Sequence, residues 1–282
     1  MPDMTNHAQD DSPILVLGAT GKTGRRVIER LQSRGVPTRA GSRNAQPPFD
    51  WADRDTWAPA LSGVAAVYVT YFPDLAVPGA PEAVGDLARL AADAGVQRLV
   101  LLSGRGEVEA QRSEEVVKQA GIDWTILRSS WFDQNFDEGF LVGDVRAGVV
   151  RLPVDSVREP FVHADDLADI AVAALIEDGH AGQLYEVTGP RLVTYADAVA
   201  EIAAASGRDL RFETISMDEL EGGLAQAGLS DDEAWLVKYL FSEVMDGRNE
   251  SLTDGVQRAL GREPRDFADY AREAAASGVW NA

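Results

Sequence analysis

Apolar residues along the chain follow two rhythms. Short apolar runs at residues 14–17, 65–70, 98–103 and 124–127 alternate with longer stretches in which apolar side chains return every three or four positions. A short run between turn residues suits a parallel strand buried on both faces, and the 3.6-residue return suits a helix with one apolar stripe. The pattern predicts a strand at 14–17, a helix carrying Val27, Ile28 and Leu31 and ended by Gly35, and a strand at 36–42. Pro47 and Pro48 mark a loop, followed by a short helix at 53–61 and a strand at 65–70. Helix 82–94 closed by Gly95, strand 98–103, helix 113–120 closed by Gly121 and strand 124–127 come next. Such alternation folds as α/β, a doubly wound parallel sheet of Rossmann type.

The last third reads differently. After a strand at 183–188, Thr194-Tyr195-Ala196-Asp197 is a capping box that opens a helix to about Ser206. Ser216 with Glu219, and Ser230 with Glu233, repeat that signature. Leu236, Leu240 and Val244 share a face, with Trp235 and Phe241 beside it, which is a core pattern. A final helix spans 266–276 after Pro264. No repeat, low-complexity tract or clean linker interrupts the chain, so this mostly helical C-terminal region is expected to dock on the sheet.

The first strand runs into Gly18-Ala19-Thr20-Gly21-Lys22-Thr23-Gly24. In a strand–turn–helix unit Gly18 allows the sharp turn, Gly21 lets a diphosphate approach the backbone, and Gly24 lets the helix pack close. The helix N-terminus then offers free N–H groups and the positive end of its dipole to the phosphates. A P-loop is excluded, because the glycine it needs five positions before its Gly-Lys pair is Val16. An NAD site places an acid about 20 residues further on, for the ribose 2′-hydroxyl. Here no acid occurs between Glu29 and Asp50, and Arg39, Ser42 and Arg43 stand there instead. A guanidinium grips a 2′-phosphate, so NADP(H) is favoured over NAD(H).

Composition narrows the partners. The 282 residues are 45% hydrophobic, enough for a substantial core, and a net charge of -20 opposes a nucleic-acid surface. No apolar run approaches the roughly 20 residues that span a bilayer, so no membrane partner is expected. Without cysteine, disulfides and thiolate chemistry are excluded. The first dozen residues, with Asp3, Asp10 and Asp11, lack the features of a signal peptide, so a flexible tail at 1–12 and a cytoplasmic protein are expected.

GATGKTG, LVLLSG, GIDWTILRSSWFDQNF, PFVHADDLADIAVAAL and YEVTGP, in that order, resemble the NmrA-like group of atypical short-chain dehydrogenases over residues 13–205. The resemblance implies a nicotinamide-binding domain at 13–190 and a smaller substrate-side region at 191–282, to which 131–160 contributes. Members include quinone reductases, isoflavone-reductase relatives and proteins that only sense the dinucleotide. The Tyr-x-x-x-Lys pair of short-chain dehydrogenases is absent at all six tyrosines. Where the isoflavone-reductase relatives carry a lysine, this chain has Arg112, a poor proton shuttle, and Lys118 lies near the end of that helix.

The expected cofactor contacts are therefore Gly18, Thr20, Gly21, Lys22, Thr23, Gly24, Ser42, Arg43, Thr70, Tyr71 and Ser103. Phe72 stands beside Tyr71 at the sheet's ligand edge, and Tyr71, Trp131, Phe132 and Asn135 are expected to meet a flat electrophile such as a quinone. In His163-Ala164-Asp165-Asp166, Asp165 or Asp166 is expected to cap a helix with His163 beneath it, and no metal is expected. No catalytic residue is assigned. The reading is a reductase passing hydride from NADPH to a quinone or similar conjugated carbonyl; the alternative is a dinucleotide sensor acting through a protein partner. A homodimer stays open.

Overall fold

The computed structural model describes residues 12–281, so the expected tail lies outside the described residues apart from Ser12. In chain order the elements are β1 Ile14–Leu17, α1 Lys22–Ser33, β2 Thr38–Gly41, α2 Trp57–Leu61, β3 Ala66–Val69, α3 Ala80–Asp93, β4 Arg98–Gly104, α4 Val108–Lys118 and β5 Asp123–Ser129. They continue with α5 Val142–Ala147, β6 Val149–Leu152, β7 Arg158–Glu159, α6 Ala164–Ile176, β8 Gln183–Val187, β9 Val193–Thr194 and α7 Tyr195–Ser206. The last are β10 Arg211–Thr214, α8 Met217–Ala227, α9 Asp231–Tyr239, α10 Gly255–Leu260 and α11 Phe267–Ser277.

Six strands form one parallel sheet in the order β2-β1-β3-β4-β5-β8. β1 is buried throughout, because helices cover both faces. Leu15, Leu17, Val67, Val69, Leu99 and Leu101 point into the core under α2, α3 and α4. Their alternate neighbours Ile14, Val16, Tyr68 and Val100 meet α1 and α6. The chain moves from β1 out to β2 and then crosses to β3 on the other side of β1. That reversal opens a crevice at the carboxyl edge between β1 and β3.

A separate core brings Phe136, Leu141, Val145, Val150 and Leu152 together with α7, α11 and Trp280. Two further two-stranded ribbons lie outside that sheet: β6 pairs in parallel with β10, and β7 pairs antiparallel with β9. All three expected capping boxes form, at Thr194, Ser216 and Ser230.

Two expectations fail locally. Helix α4 starts at Val108, five residues before the expected Ser113, whose hydroxyl bonds back to the Glu109 carbonyl at 2.9 Å inside the helix. The face shared by Leu236, Leu240 and Val244 is only partly core: Val244 and Phe241 are buried, but α9 has no buried residue. α8 and α9 pack on each other and on the rim of the second core.

Candidate functional site

At the crevice Gly18 has φ +65°, and Gly21 donates its N–H to the Gly18 carbonyl at 2.8 Å. A Cβ on Gly24 would lie 2.1 Å from that same carbonyl oxygen, so α1 reaches this position only because the residue is glycine. Gly21 caps α1 without a side chain, and no acid stands in the first turn. The N–H groups of Lys22, Thr23 and Gly24 have no partner among the described residues, while Gly18, Thr20 and Gly21 are exposed. Thr23 is buried beside Tyr68. The Thr70 hydroxyl donates to the Leu17 carbonyl at 3.1 Å and closes the wall opposite Gly18.

The two arginines after β1 separate. Arg39 donates to the carbonyls of Ala60 and Ser62 at 2.8 and 2.7 Å, which removes it from the ligand edge and corrects its expected role. Arg43, beyond the end of β2 next to half-buried Ser42, is exposed and has no hydrogen bond or ion pair among the described residues.

After β3, Tyr71 packs on Trp51 with centroids 4.7 Å apart, and the Trp51 indole donates to the Thr70 carbonyl. Phe72 is 72% exposed. The Ser103 hydroxyl, on β4, donates to buried Glu114 at 2.7 Å, and Arg128 holds the same carboxylate at 2.9 Å. Ser103 therefore faces a structural ion pair under the sheet edge.

Lys22 and Asn135, 113 residues apart, are brought together: the ammonium donates to the amide oxygen at 3.0 Å. Burial holds the Lys22 pKa below its ordinary value. Trp131 and Phe132 diverge, because neighbouring residues of an extended segment face opposite ways. Trp131 lies on Phe241 at 5.5 Å in the second core, whereas Phe132 packs against the sheet.

The helix at His163 is capped by His163 itself, whose Nδ1 accepts from Asp165 N at 3.1 Å, which corrects the expected Asp cap. The two carboxylates are held by arginines instead: Asp165 by Arg26 and Arg30, and Asp166 by Arg262 and Arg265. Among the described residues no cluster of three or more His, Cys, Asp or Glu could hold a metal, and no helix is long and apolar enough to cross a membrane. Arg112 pairs with Glu109, and Lys118 pairs with Glu115 on the outer face of α4.

Several buried or half-buried acids at this edge carried no sequence signal. Asp74 and Glu107 rise from the loops after β3 and β4, and burial raises both carboxyls; the neighbouring Asp74 lifts Glu107 further. Glu159, in β7, is raised to about 8 by burial. Arg105, just past β4, is buried and donates to Glu186, to the carbonyls of Asn249 and Ser251, and to the Ser251 hydroxyl. That arginine latches the C-terminal segment onto the sheet edge. None of these positions belongs to a motif, and only the crossing of distant segments assembles them.

The residues present suit a dinucleotide: a turn crowded enough to require Gly24, an uncapped helix N-terminus and an unpaired Arg43. A family described as NAD(P)H-binding matches residues 18–178. A (4-alkanoyl-5-oxo-2,5-dihydrofuran-3-yl)methyl phosphate reductase of Streptomyces griseus is 32% identical, over 92% of this chain and 97% of its own. An uncharacterised oxidoreductase of Bacillus subtilis is 31% identical, over 95% and 96%. The structure of an Escherichia coli NADPH-dependent quinone oxidoreductase with NADPH superimposes with a TM-score of 0.77 at 22% identity, covering 92% of this chain and 99% of that one.

Proposed function

The chain belongs to the NAD(P)H-binding family, in the NmrA-like group of atypical short-chain dehydrogenases, and on that premise we propose that it is a reductase using NADPH in preference to NADH. Its acceptor is a quinone or a similar conjugated carbonyl. One observation carries the reading: the uncapped, acid-free N-terminus of α1 opens onto the crevice beside β3, with Arg43 unpaired at the end of β2. The N–H groups of Lys22, Thr23 and Gly24 would neutralise a diphosphate, and Arg43 a 2′-phosphate. When bound, the coenzyme supplies a hydride. Lys22, held by Asn135, ties the phosphate turn to the segment after β5, so that coenzyme and substrate sites are built on one rigid link. Trp131 offers a flat face at the substrate end. The relative from S. griseus supports the acceptor class, since its named substrate carries a conjugated carbonyl.

The test incubates the protein with NADPH and a panel of quinones and enones and follows nicotinamide absorbance, with calorimetry of NADPH and NADH alongside. Turnover on an acceptor supports the reductase, and absence of heat with either coenzyme refutes the site. The sensor reading draws on one observation, the outward-facing Arg112 and Lys118, which leave α4 without a lysine at the edge. Tight binding with no turnover across the panel favours it.

A further inference from the structure

Reduction of a carbonyl requires groups that hold the oxygen as negative charge builds on it. Glu159 and Tyr195 stand together where the ligand edge meets the second core. Glu159 faces Val193 across the β7–β9 ribbon, and Tyr195 opens α7 two residues further on. Each is 1% exposed, and among the described residues neither Oε2 of Glu159 nor the Tyr195 hydroxyl has a hydrogen-bond partner. Buried polar atoms are almost always paired, so two orphans in one place point to a group that would pair with both. Their surroundings are aromatic: Tyr195 lies edge-on to Phe161 at 5.1 Å and to Trp131 at 6.3 Å. Trp131 continues to Phe140 at 6.3 Å, and Phe140 is 55% exposed. These rings form one packed aromatic cluster that runs from exposed Phe140 to the buried pair.

We propose that Glu159 and Tyr195 are the donor pair that grips the substrate's carbonyl oxygen, and that Glu159 gives that oxygen its proton. The proposal rests on the reductase reading. In the balanced step the conjugated carbon receives hydride, with its electron pair, from the dihydronicotinamide. The π electrons move onto oxygen, the Glu159 O–H bond breaks as the substrate O–H forms, and water reprotonates the carboxylate. A protonated carboxyl and a phenol can each donate a hydrogen bond to a developing oxyanion, which a carboxylate cannot, and ketosteroid isomerase uses the same arrangement.

Both groups keep their protons near neutrality. Burial raises Glu159 to about 8, opposed by Arg105 and assisted by Glu250. Burial, then the charge of Glu159, lifts the Tyr195 phenol far above its ordinary value. Arg105 is anchored on Glu186, and Glu250 on Arg158, so both face Glu159 as fixed charges.

The experiment binds naphthoquinone, which has no titrating group, to the protein without coenzyme and reads its carbonyl stretch by difference infrared spectroscopy. The stretch is expected below its solution value. Y195F should bind about tenfold more weakly and return the stretch toward solution, for one donor lost. Raising the pH from about 6 to about 10 should reverse the lowering in the wild type as Glu159 ionises. E159Q, which keeps a neutral N–H donor, should hold the lowered stretch throughout. Identical stretches in wild type and Y195F, a wild-type stretch indifferent to pH, or no naphthoquinone binding overturns the proposal. NADPH calorimetry on the same samples tests the coenzyme reading by itself, so coenzyme binding with an unperturbed carbonyl defeats the donor pair alone.

Discussion

Gly21 and Gly24 lie three residues apart in one turn, yet the structure predicts opposite consequences for replacing them with alanine. At Gly24 the new Cβ would sit 2.1 Å from the Gly18 oxygen, 2.7 Å from its carbonyl carbon and 3.2 Å from Ala19 Cα. All three are backbone atoms, so α1 must withdraw by about 1 Å, and overpacking of this kind costs about 1–3 kcal/mol. At Gly21 the Cβ meets only the Gly18 oxygen, at 3.2 Å, and φ is -81°, which any residue adopts. Exchanging glycine for alanine at a helix N-cap costs about 0.5–1 kcal/mol. In a dinucleotide turn of this kind, however, a methyl at this position would stand where the diphosphate approaches the backbone. Losing two charge-assisted hydrogen bonds to a diphosphate costs about 3 kcal/mol, or roughly 150-fold in affinity. Urea unfolding and NADPH calorimetry on the two variants separate the effects. G21A should be nearly as stable as wild type and bind NADPH very weakly, whereas G24A should lose at least about 1 kcal/mol of stability as well. G21A binding NADPH as the wild type does would refute the placement of the diphosphate over this turn, and an undiminished stability of G24A would refute the close approach of α1.

Arg43→Ala should weaken NADPH by about 1–3 kcal/mol and leave NADH unchanged, by calorimetry; equal losses would show that Arg43 does not read the 2′-phosphate. Because the folded Glu159 has its carboxyl raised to about 8, above the unfolded value, it binds more protons folded than unfolded. Its contribution to stability is therefore fully present below about pH 4.5 and falls by about 1.4 kcal/mol per pH unit until about pH 8. Glu159→Gln should flatten that part of the stability–pH curve in urea unfolding, and an unchanged slope would contradict the burial of an ionisable carboxyl there. Arg105→Met would leave the Glu186 carboxylate and the carbonyls of Asn249 and Ser251 without their donor, so a loss of about 3 kcal/mol and faster proteolysis after residue 245 are expected. Wild-type cleavage kinetics would show that the latch is dispensable.

Local rules made much of this fold readable before any tertiary contact was considered. Ile14 to Leu17 read as a strand covered on both sides, Gly18 to Gly24 as a tight turn into a helix, and Thr194, Ser216 and Ser230 each met a carboxylate three residues on. Strand length, helix capping and the glycine turn depend on neighbours within about five positions, so they are written in the chain order itself. The start of α4 was missed because Ser113 is as capable of bonding back to Glu109 inside a helix as of opening one.

What the order of residues left open was the destination of each polar side chain. Arg39 and Arg43 look alike along the chain, and only the placement of the α2 carbonyls engages the first and leaves the second unpaired. Lys22 finds Asn135, Arg105 finds Asn249, and Glu159 comes to lie beside Tyr195, through crossings of the chain that no local pattern encodes. Burial and charge in this site are properties of what surrounds a residue in space. The glycine turn is therefore set by local sequence, whereas the surroundings of Lys22, Glu159 and Tyr195 are set by how distant segments pack.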